Sequence, residues 1–237
     1  MKTLNNRFTV ALGLALLLQA TTSLVSGGIL FAPLVDKTDI AATMTNIAQN
    51  QFKADLSIFL DIVTALGIVW LAVLLFTLLR KINPVWATTA LALYILEASI
   101  LVMSKFAGYA LIQVSSMYSI SGDSSLQVTG RLLLQVKDFS YNLHMLPCGI
   151  GAILFYYLLI KSRTLPSWIP IWGLVTIIPV LVGTLLRTYG VEVPIAVMFP
   201  YVPFEFFAGA FILIRGLSDK ALTEQAVIPS NYALGRS

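Results

Sequence analysis

Six long apolar runs divide the chain, at 8–31, 56–79, 86–112, 139–160, 168–186 and 197–216. Each is long enough for a membrane-crossing helix of ~20 residues. Between the first two, 35–53 alternates in an amphipathic way. Asp39 can cap a short helix there, with Ile40, Met44 and Ile47 on one side and Asn46, Gln49 and Asn50 elsewhere. Asn83-Pro84 marks a tight turn between the second and third runs. The longest loop falls at 113–137, with a turn at Ser121-Gly122-Asp123 and an amphipathic helix over 126–136 that leads into the fourth run. Gly27, Gly28 and Pro33 predict a bend where the first helix leaves the membrane. Lys2 and Arg7 before VALGLALLL also fit a signal peptide, but the apolar character resumes from Leu24 to Phe31 without an A-x-A site. The pattern predicts an all-α, polytopic membrane protein with six transmembrane helices. Short amphipathic surface helices fall in its first and third loops. One six-helix domain covers 1–217, and a polar tail covers 218–237.

Composition agrees. The chain is 58% hydrophobic and 11% charged over 237 residues, with a mean hydropathy of +0.87. A soluble domain carries about 25% charged residues. Cys148 is the one cysteine, so an intrachain disulfide is excluded. The net charge of +4 does not point to nucleic acid, because the cations sit at helix ends. With the N-terminus inside, nine of the fifteen lysines and arginines fall on the inner side and five on the outer, with Lys105 inside a run. This excess predicts both termini in the cytoplasm.

Charge inside the runs is the informative exception. An ionisable group among lipid tails costs ~3 kcal/mol or more, so such groups turn inward and pair. Ser57, Asp61 and Thr64 share a face of the second helix, and Tyr94, Glu97, Leu101 and Lys105 share one of the third. Tyr141, His144, Cys148 and Gly151 do so on the fourth, and Thr176, Gly183 and Arg187 on the fifth. Glu205 stands in the sixth, two residues after Pro203. Counting residues from each helix end puts Asp61, Lys105, His144, Arg187 and Glu205 in one outer layer, with Glu97 deeper. Asp61 or Glu205 would pair with Lys105 or Arg187. Pro147 and Pro203 would free the carbonyls of Leu143 and Phe199 to line a polar pocket that opens outward.

The fragments HMLPCGIGAILFYYLLIKSRTLPSWIPIWG and FEFFAGAFILIRG, with DLSIFLDIV and YILEA upstream, resemble a bacterial six-helix membrane family catalogued as domain of unknown function 4386. The resemblance rests on His144, on Ser162, Pro166 and Trp168, and on Glu205 with Arg215-Gly216. The family often has Arg where Tyr94 stands, so an Arg–Glu pair at Glu97 does not carry over. The resemblance implies a bacterial inner membrane and carries no activity with it.

A single histidine excludes bis-histidine haem ligation and a His-rich zinc site within one chain. No zinc-protease, redox, nucleophile-elbow or phosphate-loop motif occurs either. No cofactor and no metal are therefore expected. Three functions stay open. The first is binding or transport of a small apolar or amphipathic ligand, with Asp61, Tyr94, Glu97, Lys105, His144, Arg187 and Glu205 as candidate lining residues and the lipid bilayer as the surrounding partner. The second is a membrane enzyme that uses His144 and Glu205 as acid and base on a lipid-like substrate. The third is an accessory protein whose charges act only as interhelical glue.

Overall fold

In the computed structural model, described for residues 6–197 and 200–218, the chain is all-helical. Seven α-helices lie within those residues: α1 Asn6–Ser23, α2 Ile40–Gln49, α3 Gln51–Leu79, α4 Pro84–Ser121, α5 Leu126–Ser162, α6 Trp168–Thr188 and α7 Tyr201–Arg215. Five segments are long and apolar enough to cross a membrane: Arg7–Leu34, Gln51–Leu79, Pro84–Ser121, Leu126–Ser162 and Trp168–Thr188. At 15 residues, α7 is shorter than these. The expected polar tail beyond Ser218, with its cations Lys220 and Arg236, lies outside the described residues, as does Lys2.

Six of the helices close a ring. Helix α1 packs between α7 and α3, α4 between α3 and α5, and α6 between α5 and α7. The distribution of polarity is the reverse of a soluble protein's. Phe59, Leu66, Met103, Phe106 and Val175 are exposed on the outside, while Asp61, Glu97, Lys105 and His144 are buried. That arrangement suits hydrocarbon as the solvent. The α1–α7 contact is backbone-close. A Cβ added to Gly13 would sit 2.7 Å from Leu213 Cγ and 3.0 Å from the Gly209 carbonyl, and one added to Gly209 would sit 2.8 Å from Leu17 Cγ. Small residues at facing positions let membrane helices approach this closely.

The capped helix in the first loop forms as its sequence suggests. The Asp39 carboxylate accepts hydrogen bonds from the amides of Ala41 and Ala42 at 2.8 and 3.2 Å. Ile40, Met44 and Ile47 are buried. The third loop departs from expectation. Residues 113–121 continue α4, and 126–136 are the opening turns of α5, not a separate surface helix. The chain reverses at Gly122, whose φ of 68° is a left-handed position that ends α4 without a Cβ penalty. The opening turns of α5 have their own packing, since Leu133 and Leu134 lie against a second, smaller core of Phe31, Leu34, Ile47, Ala54, Leu111 and Ile112. Helices of 38 and 37 residues run ~55 Å. A hydrocarbon layer is ~30 Å thick, so parts of both helices stand clear of it.

The predicted bend in the first span takes a definite form. After Ser23 the helix widens to π geometry over Leu24–Phe31 and then tightens to a 3₁₀ turn over Ala32–Leu34. Gly27 and Gly28 lie in the widened part. Ser26 is buried there and donates its hydroxyl to the Ser57 carbonyl of α3 at 2.8 Å. Pro147 does lie inside α5. Pro203 falls in the first turn of α7 instead of its interior. Proline costs no intrahelical hydrogen bond at that position. Phe199, whose carbonyl was expected to be freed, lies outside the described residues.

Candidate functional site

The inward faces of the ring bring polar groups from all six helices together. The α4 stripe buries Tyr94, Glu97, Leu101 and Lys105. Across the α3–α4 contact, the Lys105 ammonium pairs with the Asp61 carboxylate, and its Nζ lies 5.4 Å from the centre of the Tyr141 ring. Two long, apolar helices can carry these charges because each neutralises the other away from lipid. On the α1–α7 side, Gln19 Nε2 donates to Glu205 Oε1 at 2.9 Å. Thr22 and Thr64 share a hydroxyl hydrogen bond of 2.6 Å between α1 and α3. Tyr156 and Tyr201 share one of 2.8 Å between α5 and α7. Asn142 of α5 donates to the Thr184 carbonyl and the Thr188 hydroxyl of α6 at 3.2 and 3.1 Å.

Glu97 differs from the other acids. It is 4% exposed, and its Oε2 has no hydrogen-bonding partner among the described residues. Cys148 of α5 lines the same two cavities as Glu97. A buried acceptor left unpaired costs about 1–3 kcal/mol.

Three cavities adjoin these residues. A deep chamber of about 40 Å³ has aliphatic walls, Leu12, Leu71 and Ile212 among them. Gln19, Tyr94, Glu97, Tyr156, Tyr201 and Glu205 supply its polar side. A wider cavity of about 630 Å³ takes in Glu97, Tyr141, Asn142, His144, Arg187 and Glu205. A third, of about 520 Å³, is walled by the π-helical turn at Ser26–Gly28, by Asp61 and Lys105, and again by Arg187 and Glu205. Glu205 is common to all three.

All seven residues singled out from the sequence therefore line these cavities. Tyr94 and Glu97 face the deep chamber, and His144 and Arg187 the wider cavity. Asp61 and Lys105 face the third, and Glu205 stands where they meet. The pairing is as expected for Asp61 and Lys105. Glu205 instead takes a neutral partner, Gln19, and Arg187 donates to the Val193 carbonyl at 2.7 Å. The His144 ring contacts the Tyr141 carbonyl one turn back and packs edge-on to the Tyr141 ring. It does not turn to the carbonyl that Pro147 frees. Sequence reasoning missed Gln19, Tyr156 and Tyr201. Gln19 had a usable signal, as the one amide in the apolar run LALLLQATTS. Among the described residues, no group of three or more histidine, cysteine or acidic side chains is placed to hold a metal ion.

A family model described as Domain of unknown function (DUF4386) matches residues 11–216. No curated protein and no solved structure matches the chain.

Proposed function

We propose that this chain, which belongs to the family Domain of unknown function (DUF4386), holds a small amphipathic ligand inside its helix ring, for binding or for transport across the membrane. On this reading α7 is the sixth span. Its 15 residues cover ~22 Å, and the ring is incomplete without it. The excess of inner cations supports a cytoplasmic position for both termini, and on this reading the wider cavities open outward. The membrane is a bacterial inner membrane, as the family resemblance implies.

The carrying observation is the mixed lining of the wider cavity, which has about 630 Å³. Ile68, Leu101, Met145 and Val180 contribute apolar wall, and Glu97, His144, Arg187 and Glu205 contribute polar groups. Ligand sites share this form, with a mostly apolar wall and a few placed polar groups that fix orientation. A buried acid network with only a packing role has no need of a chamber beside it. Mass spectrometry on protein purified in native membrane discs tests the proposal. A small amphiphile should co-purify with the wild type and be depleted in Glu205→Gln and in Leu101→Trp, which narrows the wider cavity. Wild-type protein free of any such molecule, together with a destabilised Glu205→Gln, would assign the acids to interhelical glue.

A further inference from the structure

We infer that the deep chamber is a proton site, in which a few buried waters join Glu97 to Glu205 and one proton passes between the two carboxyls through them. The inference concerns the chamber alone and holds whatever the wider cavity takes up. A buried water needs about 10–15 Å³ of space and two to four polar partners. The chamber has about 40 Å³, which suits a few waters and no larger molecule. Its polar side supplies the partners. Glu97 is 4% exposed, and its Oε2 has no partner among the described residues. Tyr94, Tyr156 and Tyr201 bring hydroxyls to the same wall, and Gln19 brings the amide that donates to Glu205. A water there answers Glu97 Oε2, where a dry chamber would leave it unpaired at about 1–3 kcal/mol.

The charges around the two acids favour the same reading. Into the chamber α1 turns only the neutral Gln19, and α3 and α6 turn only apolar side chains. Beside the acids themselves, α4 adds Tyr94, α5 adds Cys148 and Tyr156, and α7 adds Tyr201. None of these lining residues is a lysine, arginine or histidine. The wider cavity, which both acids border, adds Asp138, Tyr141, His144 and Arg187. The third, which Glu205 borders, adds Lys37, Lys137 and the Asp61–Lys105 pair. Two carboxylates on one small chamber repel, and a single proton held between them removes the repulsion. The transfer balances. The protonated carboxyl gives its proton to a bridging water, and the water chain passes one of its own to the other carboxylate. The pair keeps one proton and one negative charge throughout. Since Glu205 also lines both larger cavities, a proton that enters the chamber has its way in and out there.

The test is infrared difference spectroscopy on the full chain in lipid nanodiscs as pH is stepped. Isotope-labelled glutamate carboxyls are used with Glu192→Gln and Glu224→Gln, so that Glu97 and Glu205 are the labelled acids that remain. Glu97→Gln should move the titration midpoint of Glu205 by about one pH unit or more, and Glu205→Gln should move that of Glu97 as far, because acids that share a proton titrate as a pair. A water O–H band, identified by its shift in heavy-oxygen water, should change in step with the carboxyl bands. Ala208→Val, which fills the chamber from α7, should abolish that band. If the glutamine variants do not fold, the water band of the parent protein decides alone. Midpoints unmoved by removal of the other acid, no water band that follows the carboxyls, or a band that survives in folded Ala208→Val would each overturn the inference. None of these results bears on whether an amphiphile co-purifies in the wider cavity.

Discussion

Lys105 and Asp61 form the buried ion pair between α3 and α4, which makes them the clearest pair to break. Losing one partner leaves the other charge buried, at a cost of about 3–5 kcal/mol. Lys105→Met should therefore lower the thermal unfolding midpoint sharply. The double variant Asp61→Leu with Lys105→Met should recover most of the loss, because a buried ion pair gains little over an apolar pair of like volume. Gln19→Leu is a milder case, expected to cost about 1–3 kcal/mol through the carboxyl left without its donor. At this scale the sequence is a good guide to which residues turn inward, since charge cannot face lipid. It is a poor guide to partners. Glu205 was expected to find a cation, yet the facing position on α1 holds an amide. Helix rotation and neighbour order decide such pairings, and neither is written in the spacing along one helix.

Among the elements, the α1–α7 contact depends most on a single residue type. Gly209→Val would force side-chain atoms against Leu17 and the Gly13 carbonyl. A loss of about 1–3 kcal/mol is expected, seen as faster proteolysis at the α6–α7 connection. The start of α2 responds to pH in a predictable way. The Asp36 carboxylate accepts from the Thr38 hydroxyl, the Thr38 amide and the Asp39 amide. These bonds, that from the Thr38 side chain foremost, hold its carboxyl below the ordinary 3.8. A lowered folded value means the contribution is present above 3.8 and is lost as pH falls through the folded value. The Thr38 amide resonance should therefore titrate with a midpoint below 3.8. Apolar period and the Asp39 cap made the helices legible, while Asn83, read only as a turn residue, also caps α4 by accepting from the Trp86 amide. The supposed loop at 113–137 misled because polar residues such as Gln113 and Ser116 sit on a helix that has left the hydrocarbon layer. Polarity there reports the surrounding solvent, not an end of the helix.

For the whole molecule, the ring follows from six runs that each need a polar face covered, and α7 closes it in spite of its length. If α7 spans, a membrane-impermeant thiol reagent on intact cells should label Lys53→Cys and leave Lys81→Cys and Ser218→Cys unlabelled until lysis. Buried Cys148 should stay silent throughout. The chamber could not be foreseen in full, because enclosed volume depends on how six helices meet. The most direct measurement is an experimental density map of wild-type protein in native lipid. The account predicts non-protein density inside the ring, within hydrogen-bonding distance of Glu97 Oε2. A chamber filled by the protein's own side chains, with Glu97 paired to one of them, would contradict it.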